Sequence, residues 1–173
     1  MWTLMDSPVG ELRIVARNGA ITAIDFLGGF SEHDVEQSST AVATARAGRP
    51  TGERADAEPV LRAAVEQLTA YFAGDRTEFD LPVAPEGTPF QQRVWNELQT
   101  IGYGQSASYG EIAGRLGMTG HGARAVGLAN GRNPIPIVIP CHRVVGADGS
   151  LTGYAGGIER KQLLLDLEAD SLF

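Results

Sequence analysis

From Glu11 to Arg17, apolar Leu12, Ile14 and Ala16 fall at every second position, the period of a strand with one buried face. Asn18-Gly19 follows, the pair favoured in a two-residue hairpin turn, and Ile21 to Phe26 reads as the returning strand. Residues 31–57 carry Ser, Thr, Ala, Gly and charge without periodicity and read as a loop. The pattern then lengthens to a helical one. Leu61, Ala64, Val65, Leu68, Tyr71 and Phe72 form one stripe, predicting a helix over 60–72 with Gly74 placed to end it. Glu78 to Val83 reads as a further strand.

Beyond a linker at 84–87 the pattern is mostly helical. Thr88-Pro89-Phe90-Gln91 has the form of a capping box, and Phe90, Val94, Leu98 and Ile101 continue the buried face of its helix. Ser108-Tyr109-Gly110-Glu111 is a second capping signal, for a short helix through Leu116. Gly117 to Gly120 breaks that helix, and a third runs to about Asn130-Gly131. Two short helices across a glycine-containing turn form a helix-turn-helix pattern, which simple core packing can equally produce. The third helix is nearly all small residues, Gly122 to Asn130, with Arg124 as its one long projecting side chain. Such a surface suits close approach to another helix, or to a DNA groove. The predicted fold is an α/β domain at 1–83, a small antiparallel sheet with a helix, and a mostly α domain with a winged helix-turn-helix at 88–173.

Composition adds that the 173-residue chain is an ordinary globular one, 43% hydrophobic and 20% charged, with no apolar run of membrane-spanning length. The reading is a cytoplasmic protein. Its net charge of -7 argues superficially against nucleic acid, but residues 1–87 hold seven arginines against fourteen acids, whereas 88–173 hold seven of each sign. Arg93, Arg115, Arg124, Arg132 and Arg143 face only Glu97 and Glu111 within 88–145. Phosphate binding responds to the local surface, so the second half is open to DNA.

One cysteine, Cys141, excludes an internal disulfide and a multi-cysteine metal site. On base rates a lone cysteine is a small buried hydrophobe. Its setting is unusual: Pro134, Pro136 and Pro140 exclude a regular helix and read as an extended path, buried through Ile135, Ile137, Val138 and Ile139. That path ends in Cys141-His142-Arg143. A thiolate needs a base or nearby positive charge, and His142 supplies one if the chain bends or a water bridges the two. A third group should orient the imidazole, and Glu168 is available.

Pro140-Cys141-His142-Arg143-Val144 resembles the active-site signature of the O6-alkylguanine-DNA alkyltransferases, the methylated-DNA–protein-cysteine methyltransferases. The resemblance extends in order through Phe90-Gln91-Gln92-Arg93-Val94-Trp95, Ser108-Tyr109, Ala123-Arg124-Ala125-Val126-Gly127 and Tyr154-Ala155-Gly156-Gly157. The first half resembles the family only loosely, in its strand-hairpin-helix order. What the resemblance implies is stoichiometric, irreversible transfer of an alkyl group from O6-alkylguanine, and from O4-alkylthymine, to Cys141. It implies a catalytic set of Cys141, His142, Glu168, Asn133 and Tyr109. His142 would activate the thiol through a water, Asn133 would brace the turn, and Tyr109 would crowd the 3′ phosphate and protonate guanine N3. Arg124 would insert where the target base leaves, with Tyr109, Gly110, Ala123, Gly127 and Gln91 also at the DNA. Val144, Tyr154, Ala155 and Gly156 would line the base pocket.

No cofactor is expected, because a thioether has no activated leaving group and each molecule would act once. No metal is expected either, since His33 and His121 stand far apart in sequence and cysteine ligands are lacking. The implied partner is double-stranded DNA carrying O6-alkylguanine, with no membrane, a monomer when free and several copies along DNA. Ala155 stands where some relatives carry serine, which leaves a backbone N–H but no side-chain contact. Competing readings are a non-catalytic alkylated-DNA binding protein, a winged-helix regulator and a cysteine hydrolase. Cys141 argues against the first. A regulator should show more long polar side chains than Arg124 alone, and a hydrolase needs an oxyanion pocket that is not evident.

Overall fold

The computed structural model describes residues 1–28 and 52–170. It divides into two compact units, Met1–Pro85 and Glu86–Phe173.

In the first unit, β1 (Trp2–Met5), β2 (Glu11–Arg17) and β3 (Ala20–Leu27) form an antiparallel sheet in the order β1-β2-β3. The alternating pattern sets the register: Leu12 lies opposite Phe26 and Ile14 opposite Ile24. Leu12, Ile14 and Ile24 are fully buried, beneath α1 (Pro59–Phe72), whose Leu61, Ala64, Leu68 and Tyr71 are buried in turn. Asn18 and Gly19 both have positive φ, 51° and 76°, as the expected hairpin turn requires. Strand β1 was not anticipated. Its four residues are too few to display a period, and its place comes from pairing with β2.

Two expectations need correction here. Glu78 to Val83 forms no strand; only Val83 pairs, in an isolated bridge to Ile21. Of the segment read as a loop, 31–51 (with His33) lies outside the described residues. Its last part does pair: Arg54 bridges to Trp2, and the Ala55 N–H donates to the Trp2 carbonyl at 2.8 Å.

In the second unit, α2 (Pro89–Leu98) opens on the complete capping box, Thr88 and Gln91 each accepting from the other's backbone N–H. Its buried face is Val94, Trp95 and Leu98; Phe90 is only half-buried. Trp95 Nε1 donates to the Ala129 carbonyl at 2.9 Å, tying α2 to the helix that holds Ala129.

Next come β4 (Ala107–Ser108) and α3 (Tyr109–Arg115), with the Ser108 side chain capping α3 by accepting from Glu111 N–H. Helix α3 ends in a Schellman motif: Gly117 has φ of 73°, and the Met118 N–H reaches back to the Ala113 carbonyl at 2.9 Å. Helix α4 (Gly122–Gly131) then packs on α3. Gly122 is required at this crossing, because a Cβ there would sit 2.9 Å from Met118 Cβ and 3.0 Å from Ala113 Cβ.

The reactive segment follows, then β5 (Val144–Val145), a turn with Gly149 at its tip, and α5 (Ile158–Asp170). β5 runs parallel to β4, with Val144 opposite Ala107 and Val145 opposite Ser108. That pairing seats the start of α3 beside the residues that follow Cys141. A small sheet-and-helix unit followed in the chain by a helix-turn-helix with its wing is the architecture expected.

Candidate active site

The path into Cys141 is wound rather than extended. Prolines exclude the helix but do not enforce a strand, and here Asn133 supplies the hydrogen bonds that a turn needs. Its Nδ2 donates to the Ile139 carbonyl at 2.8 Å and its Oδ1 accepts from Ile135 N–H at 3.0 Å. The Ile139 N–H closes onto Ile135 O at 3.0 Å, and Val138 N–H onto Pro136 O at 2.9 Å. The latter is a γ-turn centred on Ile137, whose φ of 73° is rare for a β-branched side chain and costs about 1–3 kcal/mol. Full burial of Ile135, Ile137 and Ile139 holds it in place.

The chain then makes one 3-10 turn, Cys141–Arg143. The chain is therefore bent, not extended, at the Cys141-His142 step. Cys141 is 4% exposed, and Asn130, in the last turn of α4, donates from Nδ2 to its carbonyl at 3.3 Å. Burial pushes the Cys141 thiol above its ordinary value. Hydrogen bonds from Asn133 and Tyr154 and the charge of Lys161 pull the other way without prevailing.

His142 is fully buried, and its Nε2 lies 2.6 Å from Oε2 of Glu168 in α5. Glu168 is held down to about 2 despite its burial, by hydrogen bonds from His142 and Arg143 and by the Arg143 charge. It is therefore a carboxylate, which can only accept. Burial lowers the His142 value, so the ring is neutral, and its one proton must sit on Nε2. Nδ1 thus keeps its lone pair, and this buried atom has no hydrogen-bond partner among the described residues.

Arg143 does not join the phosphate-facing charge counted for it in the sequence. It is 6% exposed, grips Glu168 through Nε at 2.7 Å, and donates from Nη1 to Ile101 O at 2.7 Å. Arginine side chains in a basic stretch are ordinarily solvated; this one is drawn inward by a carboxylate 25 residues away.

Sequence reasoning missed Lys161. It is fully buried on α5, and its Nζ donates to Val144 O at 2.6 Å and Thr152 O at 3.0 Å, 5.9 Å from the centre of the Tyr109 ring. A usable signal existed. Lys161, Leu164 and Glu168 fall at helical spacing on one buried face, so assigning Glu168 to the site already turns Lys161 toward it.

The remaining expected residues fall into two groups. Tyr109, Val144 and Tyr154 gather around Cys141 and Lys161, Tyr109 donating its hydroxyl to Thr152 O at 3.2 Å. Gly156 is buried and Ala155 exposed. Arg124 and Ala123 are exposed on α4, while Gly127 lies against the Tyr109 ring and Gly110 is exposed in α3. Gln91 has its Oε1 occupied by the Thr88 N–H, leaving only its amide N–H groups. Among the described residues, no three His, Cys, Asp or Glu side chains group as a metal site. No helix there is long and apolar enough to cross a membrane.

Family profiles match both units. One, described as 6-O-methylguanine DNA methyltransferase, ribonuclease-like domain, covers residues 1–85, and the other, the DNA binding domain of the same description, covers 89–170. A methylated-DNA–protein-cysteine methyltransferase of Mycolicibacterium paratuberculosis is 51% identical over 95% of this chain and 89% of that protein. The chain belongs to the O6-alkylguanine-DNA alkyltransferase family. A methyltransferase of the same name, from Methanosarcina acetivorans, is 42% identical over 96% of this chain and 97% of its own. The crystal structure of Mycobacterium tuberculosis OGT in complex with DNA superposes with a TM-score of 0.81 at 47% identity, covering 98% of this alkyltransferase and 93% of that chain. The likeness therefore extends to the N-terminal unit, where the sequence alone offered only an order of elements.

Proposed function

We propose that this alkyltransferase reverses DNA damage directly, as a single-use methylated-DNA–protein-cysteine S-methyltransferase acting on O6-alkylguanine. What carries the reading is one buried cysteine followed directly by a neutral imidazole whose Nε2 is engaged by Glu168 and whose unpartnered Nδ1 is the basic nitrogen. DNA binds along α4, and the damaged nucleotide rotates out of the stack, since O6 is inaccessible inside it. Arg124 fills the gap. The base enters between Tyr109, Val144, Tyr154, Ala155 and Gly156.

The Cys141 proton passes to His142 Nδ1, directly or across one bridging water, and the Nε2–H bond to Glu168 steadies the imidazolium that forms. Sulfur attacks the alkyl carbon in line; the S–C bond forms as the C–O6 bond breaks. Tyr109 gives its hydroxyl proton to guanine N3, exchanging its present bond to Thr152 O. The proton on His142 makes up that loss, so the proton that left the thiol ends on Tyr109 and the one Tyr109 gave ends on guanine. Lys161 is the counter-ion to the transient thiolate, because Arg143 already balances Glu168 and, among the described residues, Lys161 has only carbonyls as hydrogen-bonding partners. The product thioether cannot be hydrolysed, so one protein removes one alkyl group, acting as a monomer from the cytoplasm.

Incubation with a duplex containing O6-methylguanine should add the mass of one methyl group to the peptide holding Cys141. Cys141→Ala should abolish it. Unmodified protein with the lesion intact would overturn the reading.

A further inference from the structure

The outward face of α4 is not made only of small residues and Arg124. Leu128 is 64% exposed, one of three large apolar side chains left in solvent among the described residues. It stands four residues after Arg124 and four before Arg132, at the helix C-cap, and both arginines are exposed. Residues four apart on a helix share a face. The flanking positions of that face, Ala125, Gly127 and Gly131, carry too little side chain to cover the leucine. Nothing in the fold uses it: the buried side of α4 is Gly122, Val126, Ala129 and Asn130.

We propose that Leu128 is a DNA contact, an apolar wedge set in the minor groove about two base-pair steps from the gap that Arg124 fills. The spacing follows from rise: four helical residues advance about 6 Å, against about 3.4 Å per base pair. A helix enters a minor groove about 6 Å wide only if its side chains are small or the groove is forced open. Gly127 and Gly131 meet the first condition and Leu128 supplies the second. Leucine is one of the side chains that architectural proteins press between base steps from this groove. With Arg124 entering the stack on one side and exposed Arg132 set to meet phosphate on the other, the leucine sits between two positive charges, which favours nucleic acid over a second copy of this chain. The contact would be with deoxyribose edges and base faces, present at every step, so it would add affinity without sequence preference. This inference rests on the proposed function.

The test is binding of the full chain to undamaged duplex across a salt series, with reaction toward free O6-benzylguanine measured in parallel. Leu128→Ala should bind duplex roughly tenfold more weakly, with an unchanged slope of log K against log salt, and should keep the wild-type free-base rate. Leu128→Met should recover most of the affinity. Arg132→Ala should instead lower the slope by about one. Duplex affinity of Leu128→Ala within twofold of wild type overturns the proposal. So does an equal loss toward the free base, or wild-type self-association without DNA that Leu128→Ala abolishes. Wild-type protein that neither binds duplex nor accepts the alkyl group would instead overturn the proposed function itself.

Discussion

His142 donates its Nε2 proton to Glu168 across 2.6 Å, and this one bond decides which ring nitrogen is left as a base. Glu168 is also the counter-ion of Arg143. One carboxylate therefore sets a tautomer and neutralises a buried cation. Glu168→Gln keeps the shape and removes the charge. Stability should fall by about 3 kcal/mol, the usual cost of stranding one partner of a buried pair. Alkyl transfer to Cys141 should slow by about two orders of magnitude, as expected when a general base is lost. Denaturant unfolding and single-turnover kinetics well below the melting temperature separate the two effects. A variant that loses stability but reacts at the wild-type rate would remove Glu168 from the chemistry.

Acid should unfold this protein in two stages. His142 is held neutral in the fold, below its ordinary 6.5, so protons bind the unfolded chain first as pH falls below that value. Glu168 is held at about 2 against an ordinary 4.5, so its contribution is complete above 4.5 and is lost as pH falls toward 2. Both shifts have the same sign. Stability should decline from about pH 6.5 and more steeply below 4.5, in a pattern belonging to the coupled pair rather than to either group. Urea midpoints from pH 8 to pH 3 test this, and midpoints that do not fall with acid would contradict it.

The features legible in the sequence are those set within a few residues. The Thr88–Gln91 capping box, the Asn18-Gly19 turn and the stripe of α1 each need only local chemistry, and each is present. Asn133 was named through resemblance and Glu168 first as an available carboxylate, neither from periodicity. The misread positions depend on distant partners. Arg143 is buried by Glu168 and Ile101, and the approach to Cys141 winds because one asparagine side chain takes the place of a strand neighbour. Among the described residues Val83 pairs only with Ile21, so Glu78 to Val83 had strand composition without a described strand to join.

Lys161 places a positive charge where a thiolate must form, and burial alone holds the thiol above its ordinary range. The rate toward free O6-benzylguanine should therefore climb with pH through neutrality, as more thiolate becomes available. Lys161→Met removes the charge while keeping most of the chain's bulk. The rising limb should move to higher pH, with the neutral-pH rate lower by roughly tenfold. Lys161→Arg restores charge and should return the limb most of the way. A merely structural lysine would change the melting temperature and leave the pH profile in place.

The tasks proposed for Arg124 and Cys141 differ, and a pair of substrates can tell them apart. Arg124 is exposed on α4, whereas Cys141 lies beneath the surface in its 3-10 turn. Free O6-benzylguanine needs no extrusion from a stack, while a duplex lesion must be unstacked at a cost of a few kcal/mol. Arg124→Ala should therefore slow repair of duplex O6-methylguanine by about two orders of magnitude, while the free-base rate stays within about twofold of wild type. An abasic or mismatched site opposite the lesion lowers the extrusion cost and should return part of the lost duplex rate. Equal losses on free base and duplex would place Arg124 in the fold of the site rather than in the opening of the DNA. The partial rescue by a weakened pair separates a gap-filling arginine from one that only attracts phosphate, because attraction would be lost equally from paired and unpaired duplexes.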